Sequence, residues 1–145
     1  MLDRVLPGVP GPAAALGLAG LIPFVATSIG PLAGAIPAEW ARIALLAYGA
    51  VILSFLGGIH WGLAIAAGRA GMRELGIGVA PSLLGWAGLL IGGNWGLLVL
   101  VAGFAAVLLA DLGLAREGIA PLWFARLRAL LTGGVCALLL LATLV

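Results

Sequence analysis

The stretch Ile43–Gly68, IALLAYGAVILSFLGGIHWGLAIAAG, decides the fold class of this chain. It contains no Arg, Lys, Asp or Glu, and its one basic side chain is His60. A helix of about 26 residues, at ~1.5 Å per residue, is longer than the ~30 Å hydrocarbon layer of a bilayer. The stretch therefore predicts a membrane-spanning helix with His60 at membrane depth, where polar groups are costly and are functional candidates.

The composition of the whole chain agrees with a membrane protein. Apolar residues make up 64% and charged residues 8% of the sequence, whereas a soluble domain is about half apolar and about a quarter charged. The lipid bilayer is thus the expected partner of most of the surface. The formal charge of +2 is too small to suggest a nucleic-acid partner.

Hydropathy predicts one all-α domain with five transmembrane helices, over about residues 13–34, 40–68, 75–93, 95–110 and 122–144. Gly92-Gly93-Asn94 between the third and fourth spans reads as a tight turn. The first span could instead be a cleaved signal peptide, because Ala33-Gly34-Ala35 resembles a cleavage site. Its apolar region is longer than the usual ~7–15 residues and contains Pro23, so we expect the span to be retained.

The Arg residues predict the orientation. With five spans, one side of the membrane receives all of them except Arg42, namely Arg4, Arg69, Arg73, Arg116, Arg126 and Arg128. Since short cytoplasmic loops are rich in basic residues, we expect the N-terminus inside and the C-terminus outside a bacterial inner membrane. In a mitochondrion, the Arg-rich side would be the matrix.

One broad face of the second span carries small residues and a Trp: Ser54, Gly57, Gly58, Trp61 and Gly62. Ser54, Gly58 and Gly62 follow the small-xxx-small spacing that allows close helix–helix approach within lipid. We expect this face to pack inside the bundle, with a homodimer seam as the alternative.

A polar layer is predicted around His60, which lies nine residues from Arg69 and therefore ~13 Å from that end of the helix. Ser82 lies at a similar depth, and Pro23 leaves the carbonyl of Ala19 without its helical donor. Three roles remain open for His60: a neutral core residue bonded within the layer, a ligand, proton or anion site, or a metal or haem ligand.

Few catalytic arrangements are available. Ser54 and His60 lie about 240° apart around one helix, so they cannot form a nucleophile–base pair. One His and one Cys are too few for a zinc site. We therefore expect no enzyme, no cofactor and no metal.

Three charged residues are predicted to lie at the membrane interface. Asp111 is expected to end the fourth span and to meet Arg116 or Arg126 there. Arg126 and Arg128 are expected to extend to the lipid headgroups, where they could bind an anionic lipid.

Four motifs resemble a known family. They are LGLAGLIPF at 16–24, YGAVILSFLGGIHWG at 48–62, APSLLGW at 80–86 and WFARLR at 123–128. Together they are similar to the transmembrane protein 69 family and its bacterial relatives, over about residues 16–132. The resemblance implies a small multi-span protein and no activity, cofactor or catalytic residue. It also implies Arg in place of His60 in animal members, which favours a basic donor as the shared feature.

Two functional hypotheses follow. The first is a non-enzymatic assembly, accessory or scaffold protein of the inner membrane, with a membrane-protein partner or a second copy of itself. The alternative is a small-solute, ion or lipid transporter or channel that uses the layer around His60. An internal polar cavity reaching both surfaces would favour the transporter, whereas a solid core with an exposed small-residue face would favour the accessory protein.

Overall fold

A computed structural model describes residues 6–145, and these residues form a bundle of α-helices. The helices are α1 (Gly11–Ala19), α2 (Ile22–Ile29), α3 (Ala38–Ala66), α4 (Met72–Ile91), α5 (Gly93–Arg116) and α6 (Leu122–Ala142). The first two together make one crossing, so five segments are long and apolar enough to span a membrane. The predicted all-α fold class with five spans is confirmed.

The first crossing is broken rather than continuous. Gly20 and Leu21 separate α1 from α2, and Pro23 occupies the first turn of α2, where its missing N–H is least costly. The Thr27 hydroxyl donates to the Pro23 carbonyl at 2.7 Å. Pro81, by contrast, lies inside the continuous helix α4. Only one of the two proline-bearing spans is therefore interrupted.

The fourth span is longer than predicted. It was expected to end at Ala110, but α5 continues to Arg116 and so carries Asp111 inside the helix. The residues after Asp111 are Leu, Gly, Leu and Ala, an apolar run that extends the helix by more than one turn. This extension brings a carboxylate into the bundle.

The core lies where α2, α3, α5 and α6 meet. Its largest fully buried side chains are Phe24, Leu45, Leu53, Leu97, Leu100, Phe104 and Leu139. Phe24 packs edge-to-face against Tyr48 and Phe104, with ring centroids 5.0 and 6.1 Å away. These contacts fill the core in the half of the bundle that contains the α4–α5 turn.

The two ends of the bundle differ in their polar contacts. At one end the loop after α3 meets the loop after α5, where Arg69 forms an ion pair with Glu117. At the other end Arg42 donates to the Asn94 side chain, whose amide in turn donates to the Thr143 carbonyl at 3.0 Å. Which end faces the cytoplasm stays a prediction, and Arg4 lies outside the described residues.

Helices α3 and α4 form the most extensive contact in the bundle, through Gly57 rather than through Gly58. A Cβ on Gly57 would lie 2.3 Å from the Gly78 carbonyl oxygen and 3.2 Å from the Pro81 ring. A Cβ on Gly78 would lie 3.1 Å from the backbone nitrogen of Trp61, whose side chain is exposed. The α3 backbone therefore touches α4 directly along Gly57 and Trp61.

The prediction that Gly58 and Gly62 pack inside the bundle is wrong. Both are exposed, and a Cβ on either would meet nothing within 4 Å. The reason is rotational: Gly57 faces α4, so a residue one position later turns by about 100° away from that contact. Ser54 does face α4, where its hydroxyl lies 2.7 Å from that of Ser82.

Candidate functional site

Three ionisable side chains from three helices meet inside the bundle. Nε2 of His60, on α3, lies 2.6 Å from Oδ1 of Asp111 on α5. Nε of Arg128, on α6, donates to Oδ2 of the same carboxylate at 2.7 Å. We call His60, Asp111 and Arg128 the buried triad. Its members lie on helices that are far apart in sequence, so only the folded bundle assembles it.

The direction of each hydrogen bond follows from the chemistry of the groups. Arg128 is always protonated and only donates, so the Asp111 carboxylate is the acceptor of that hydrogen bond. The Nε2 atom of His60 must therefore carry the hydrogen that it shares with Asp111. Nδ1, the second ring nitrogen, is then a lone-pair acceptor while the imidazole is neutral.

The triad is almost completely shielded. His60, Asp111 and Arg128 retain 5%, 1% and 6% of their accessible surface. Asp111 lies five residues from the end of α5, which corresponds to ~8 Å of helix. Charges at such depth are tolerated only when they are paired with each other. The Arg128–Asp111 bond thus neutralises both charges where water cannot.

Some polar atoms next to the triad keep unused hydrogen-bonding capacity. Nη2 of Arg128 and the hydroxyl of Thr132, one turn further along α6, are fully enclosed and have no partner among the described residues. Nδ1 of His60 has no partner there either, but it is not among the fully enclosed atoms. This nitrogen therefore keeps contact with the space beside the triad.

Two cavities adjoin His60 on the side away from Arg128. The first measures about 210 Å³ and opens at the charged end of the bundle; its lining includes Arg69, Arg73, Glu74 and Glu117. The second measures about 220 Å³ and follows the seam between α4 and α5, with an almost wholly apolar lining. His60 borders both of them, whereas Asp111 and Arg128 border neither.

The charged mouth contains as many acidic as basic groups. Arg69 pairs with Glu117 and lies 3.9 Å from Glu74, and Arg73 lies 3.7 Å from Glu74. The hydrogen bond with Glu117 raises the pKa of Arg69 above its ordinary value. The mouth is therefore polar and balanced in charge rather than a strong anion trap.

The predicted partners of His60 are wrong, although its position inside the bundle is as predicted. His60 bonds Asp111, not Ser82 or the Ala19 carbonyl. Ser82 pairs with Ser54, and Tyr48 donates to the carbonyl of Gly20, the residue after Ala19, at 3.1 Å. The predicted layer does not form, because Ser82 is bonded to Ser54 instead, and Pro23 contributes only to the break between α1 and α2.

The predicted surface roles of Asp111 and Arg128 are also wrong. Both side chains are buried and paired with each other, so Asp111 is no interface cap and Arg128 does not extend to headgroups. Arg126, two residues earlier, is exposed and donates to the Pro7 carbonyl at 3.4 Å. A lipid-headgroup role therefore remains a prediction for Arg126 only.

A metal centre has no donor set in the described part of the chain. No group of three or more His, Cys, Asp or Glu side chains comes together there. The one Cys, Cys136, lies on α6 with its sulfur 4.0 Å from the Val101 carbonyl oxygen. What the triad can do chemically is to donate or accept a proton at His60 and to stabilise the imidazolium through Asp111.

The chain is similar to known membrane proteins from two animals. No solved structure matches the chain significantly. The curated protein "Transmembrane protein 69" from Xenopus tropicalis is 41% identical over 136 residues, covering 89% of this chain and 52% of that protein. Its namesake from Mus musculus is 34% identical over 131 residues, covering 85% and 51%. The chain spans about half the length of these relatives.

The match to a protein family covers nearly the whole chain. A family described as "Protein of unknown function (DUF3429)" matches residues 9–144, which include all six helices and the buried triad. The resemblance inferred from the motifs is thereby confirmed. With its five membrane-spanning segments and its similarity to transmembrane protein 69, this chain is a multi-pass membrane protein that belongs to the DUF3429 family.

Proposed function

We propose that this chain is a non-enzymatic accessory or assembly protein of a bacterial inner membrane that binds another membrane protein through the outer face of α3. The observation that carries the proposal is the open position of Gly58 and Gly62, where an added Cβ would meet nothing within 4 Å. Exposed small residues on a spanning helix let a second helix approach closely, which drives association within lipid.

The surroundings of these glycines support a helix-binding seam. Val51, Phe55 and Ile65 on the same helix are 64%, 64% and 57% exposed. With Gly58 and Gly62 they follow a four–three–four–three spacing, the repeat with which one helix packs along another. The glycines form a shallow notch between larger side chains. A helix of a partner protein would fill this notch.

The absence of a reactive group near His60 supports a non-enzymatic role. No Ser, Thr, Cys or Tyr lines either cavity beside His60 in the described part of the chain. The hydroxyls of Ser54 and Ser82 are directed at each other. An imidazole–carboxylate pair without a nucleophile can hold a proton but cannot carry out acyl transfer by the usual covalent route.

The cavities give less support to a transporter or channel. Both cavities beside His60 lie in the half of the bundle that contains the Arg69 end. The cleft at the opposite end, beside Arg42, measures about 10 Å³. Between them lies the core of fully buried Leu and Phe side chains, so no continuous polar path joins the two ends of the described structure.

The test is copurification from native membranes with bulky substitutions on the α3 seam. Gly58→Leu and Gly62→Leu should reduce the mass of the native complex and remove its copurifying partner. Gly133→Leu is the matched control, because Gly133 on α6 is also exposed with nothing within 4 Å of an added Cβ. All three variants should keep the thermal midpoint of the original chain.

Mass spectrometry of the complex identifies the partner and separates a foreign protein from a second copy of this chain. An original chain that migrates as a monomer from native membranes would refute the proposal. So would a complex that survives both α3 substitutions.

A further inference from the structure

The two cavities beside His60 adjoin each other, and we call them together the crevice. Their linings share His60, Ile77 and Ala110, which places the charged mouth and the apolar seam on either side of the imidazole. Volumes of about 210 and 220 Å³ together fall at the lower end of the ~300–1,000 Å³ typical of small-molecule sites. The crevice is therefore large enough for a lipid-like molecule with a small head.

The apolar part of the crevice opens sideways toward lipid. Ile77 and Leu84 on α4 are 37% and 36% exposed, and Ala80 and Ala106 are exposed on the facing helices. From the start of α4 to Leu84 is about 12 residues, or ~18 Å of helix, which reaches the middle of the hydrocarbon layer. An alkyl chain can thus enter from the bilayer without crossing the charged mouth.

The head of such a molecule would meet His60, a side chain that is 5% exposed and whose Nδ1 has no partner among the described residues. With Nε2 donating to Asp111, Nδ1 of the neutral ring can accept a proton. Asp111 then stabilises the imidazolium. The crevice therefore combines a proton acceptor at its centre with an apolar groove on the bilayer side.

The charged side chains around the crevice determine which kind of head group it can bind. Arg128 and Asp111 cancel each other, and the two Arg and two Glu side chains of the mouth also cancel. Protonation of His60 then leaves one uncompensated positive charge at membrane depth. Such a charge is stable there only beside an anion.

We propose that the crevice binds a long-chain carboxylic acid, with the head at His60 and the alkyl chain in the α4–α5 groove. The acid enters neutral, and its O–H bond breaks as an N–H bond forms at Nδ1 of His60. The electron pair stays on the carboxylate, which is held beside the imidazolium. The occupied site is neutral overall, as a low-dielectric environment requires.

The experiment uses the full chain in lipid nanodiscs with palmitic acid as the probe. A photoreactive palmitic acid should label one site per chain, at Ile77, Leu84 or Ala106. Unlabelled palmitic acid should compete at least tenfold better than hexadecanol or hexadecyltrimethylammonium. Palmitic acid labelled with carbon-13 at the carboxyl group should show the chemical shift of a carboxylate when bound.

Two variants remove the head and chain sites separately. His60→Gln keeps an amide that can donate to Asp111 but cannot take a proton, and it should weaken palmitic acid binding at least tenfold. Ala106→Phe fills the groove and should weaken all three probes. Ala105→Phe is the control, because Ala105 is exposed on α5 but lines neither cavity.

Equal competition by hexadecanol, unchanged affinity in His60→Gln, or labelling outside the groove would each overturn the proposal. A bound acid that keeps the chemical shift of its protonated form would do so as well. None of these results depends on the partner proposed for the α3 seam, so the two proposals can fail separately.

Discussion

Replacing Asp111 by Asn should destabilise this protein far more than any substitution of an exposed charge. Asn has nearly the shape of Asp but lacks its charge, so Arg128 would remain buried without a counter-charge. At an effective dielectric constant of about 20, opposite unit charges ~4 Å apart attract by roughly 4 kcal/mol. Removal of one partner of a buried pair typically costs about 3–5 kcal/mol. We expect Asp111→Asn to lower the free energy of unfolding by that amount.

The measurement is reversible unfolding in mixed micelles, followed by circular dichroism, with a matched surface control. Glu117→Gln breaks the ion pair with Arg69, whose side chains are 50% and 43% exposed. Water already screens that pair, so its loss should cost far less than the loss of the buried pair. The two substitutions remove the same chemical group, and only their burial differs.

A second substitution tests whether the cost arises from the unpaired guanidinium. Arg128→Met in the Asp111→Asn background removes the buried positive charge and should recover most of the lost stability. The reasoning is refuted if Asp111→Asn unfolds within about 1 kcal/mol of the original chain. It is also refuted if the double variant is less stable than Asp111→Asn.

Three further predictions concern the bundle and its orientation. Gly57→Leu should lower the free energy of unfolding by at least about 1–3 kcal/mol through overpacking against α4. Gly58→Leu, one position later, should leave the thermal midpoint unchanged. Equal midpoints for the two variants would contradict the packing described for α3. His60→Leu should cost about 1–3 kcal/mol in the same unfolding assay, because an Asp111 oxygen loses its donor, and an unchanged stability would show that the hydrogen bond is not formed. Reporter fusions after Met72 and after Val145 should be active on opposite sides, inside and outside respectively, and activity on one side for both would exclude five crossings.

The fold could be predicted from the sequence because the bilayer imposes it. Once a continuous apolar stretch exceeds the thickness of the hydrocarbon layer, a helix satisfies the backbone polar groups within that one segment. The glycine positions then predicted the turn between the third and fourth spans, which lies at Gly92. The rotation of each helix could not be obtained in this way. Gly57 and Gly58 are adjacent glycines that the sequence does not distinguish. Only the contact of Gly57 with Gly78 and Pro81 shows which of the two faces α4.

Hydropathy alone does not predict the site, because it places Asp111 at the end of its span. When depth is counted from the nearest charge, Asp111 itself lies at the membrane surface and not level with His60. The signal for a different count was present: four uncharged residues, Leu, Gly, Leu and Ala, separate Asp111 from Arg116. Counted from the helix ends, Asp111 lies five residues before Arg116 and His60 lies six residues before Ala66, so the two are at similar depth. Arg128 then falls at a similar depth on α6, six residues after Leu122.

Stability does not explain why the buried triad is present. The other half of the bundle is held by apolar side chains, and well-packed apolar groups can replace a buried ion pair without loss of stability. A pair of charges needed only for packing could lie anywhere in the core. This one ends in an imidazole that borders both cavities, and its third member is enclosed on the opposite side. Arg128 and Asp111 therefore hold one edge of the His60 ring and leave its other edge to the cavities, as the proposed ligand site requires.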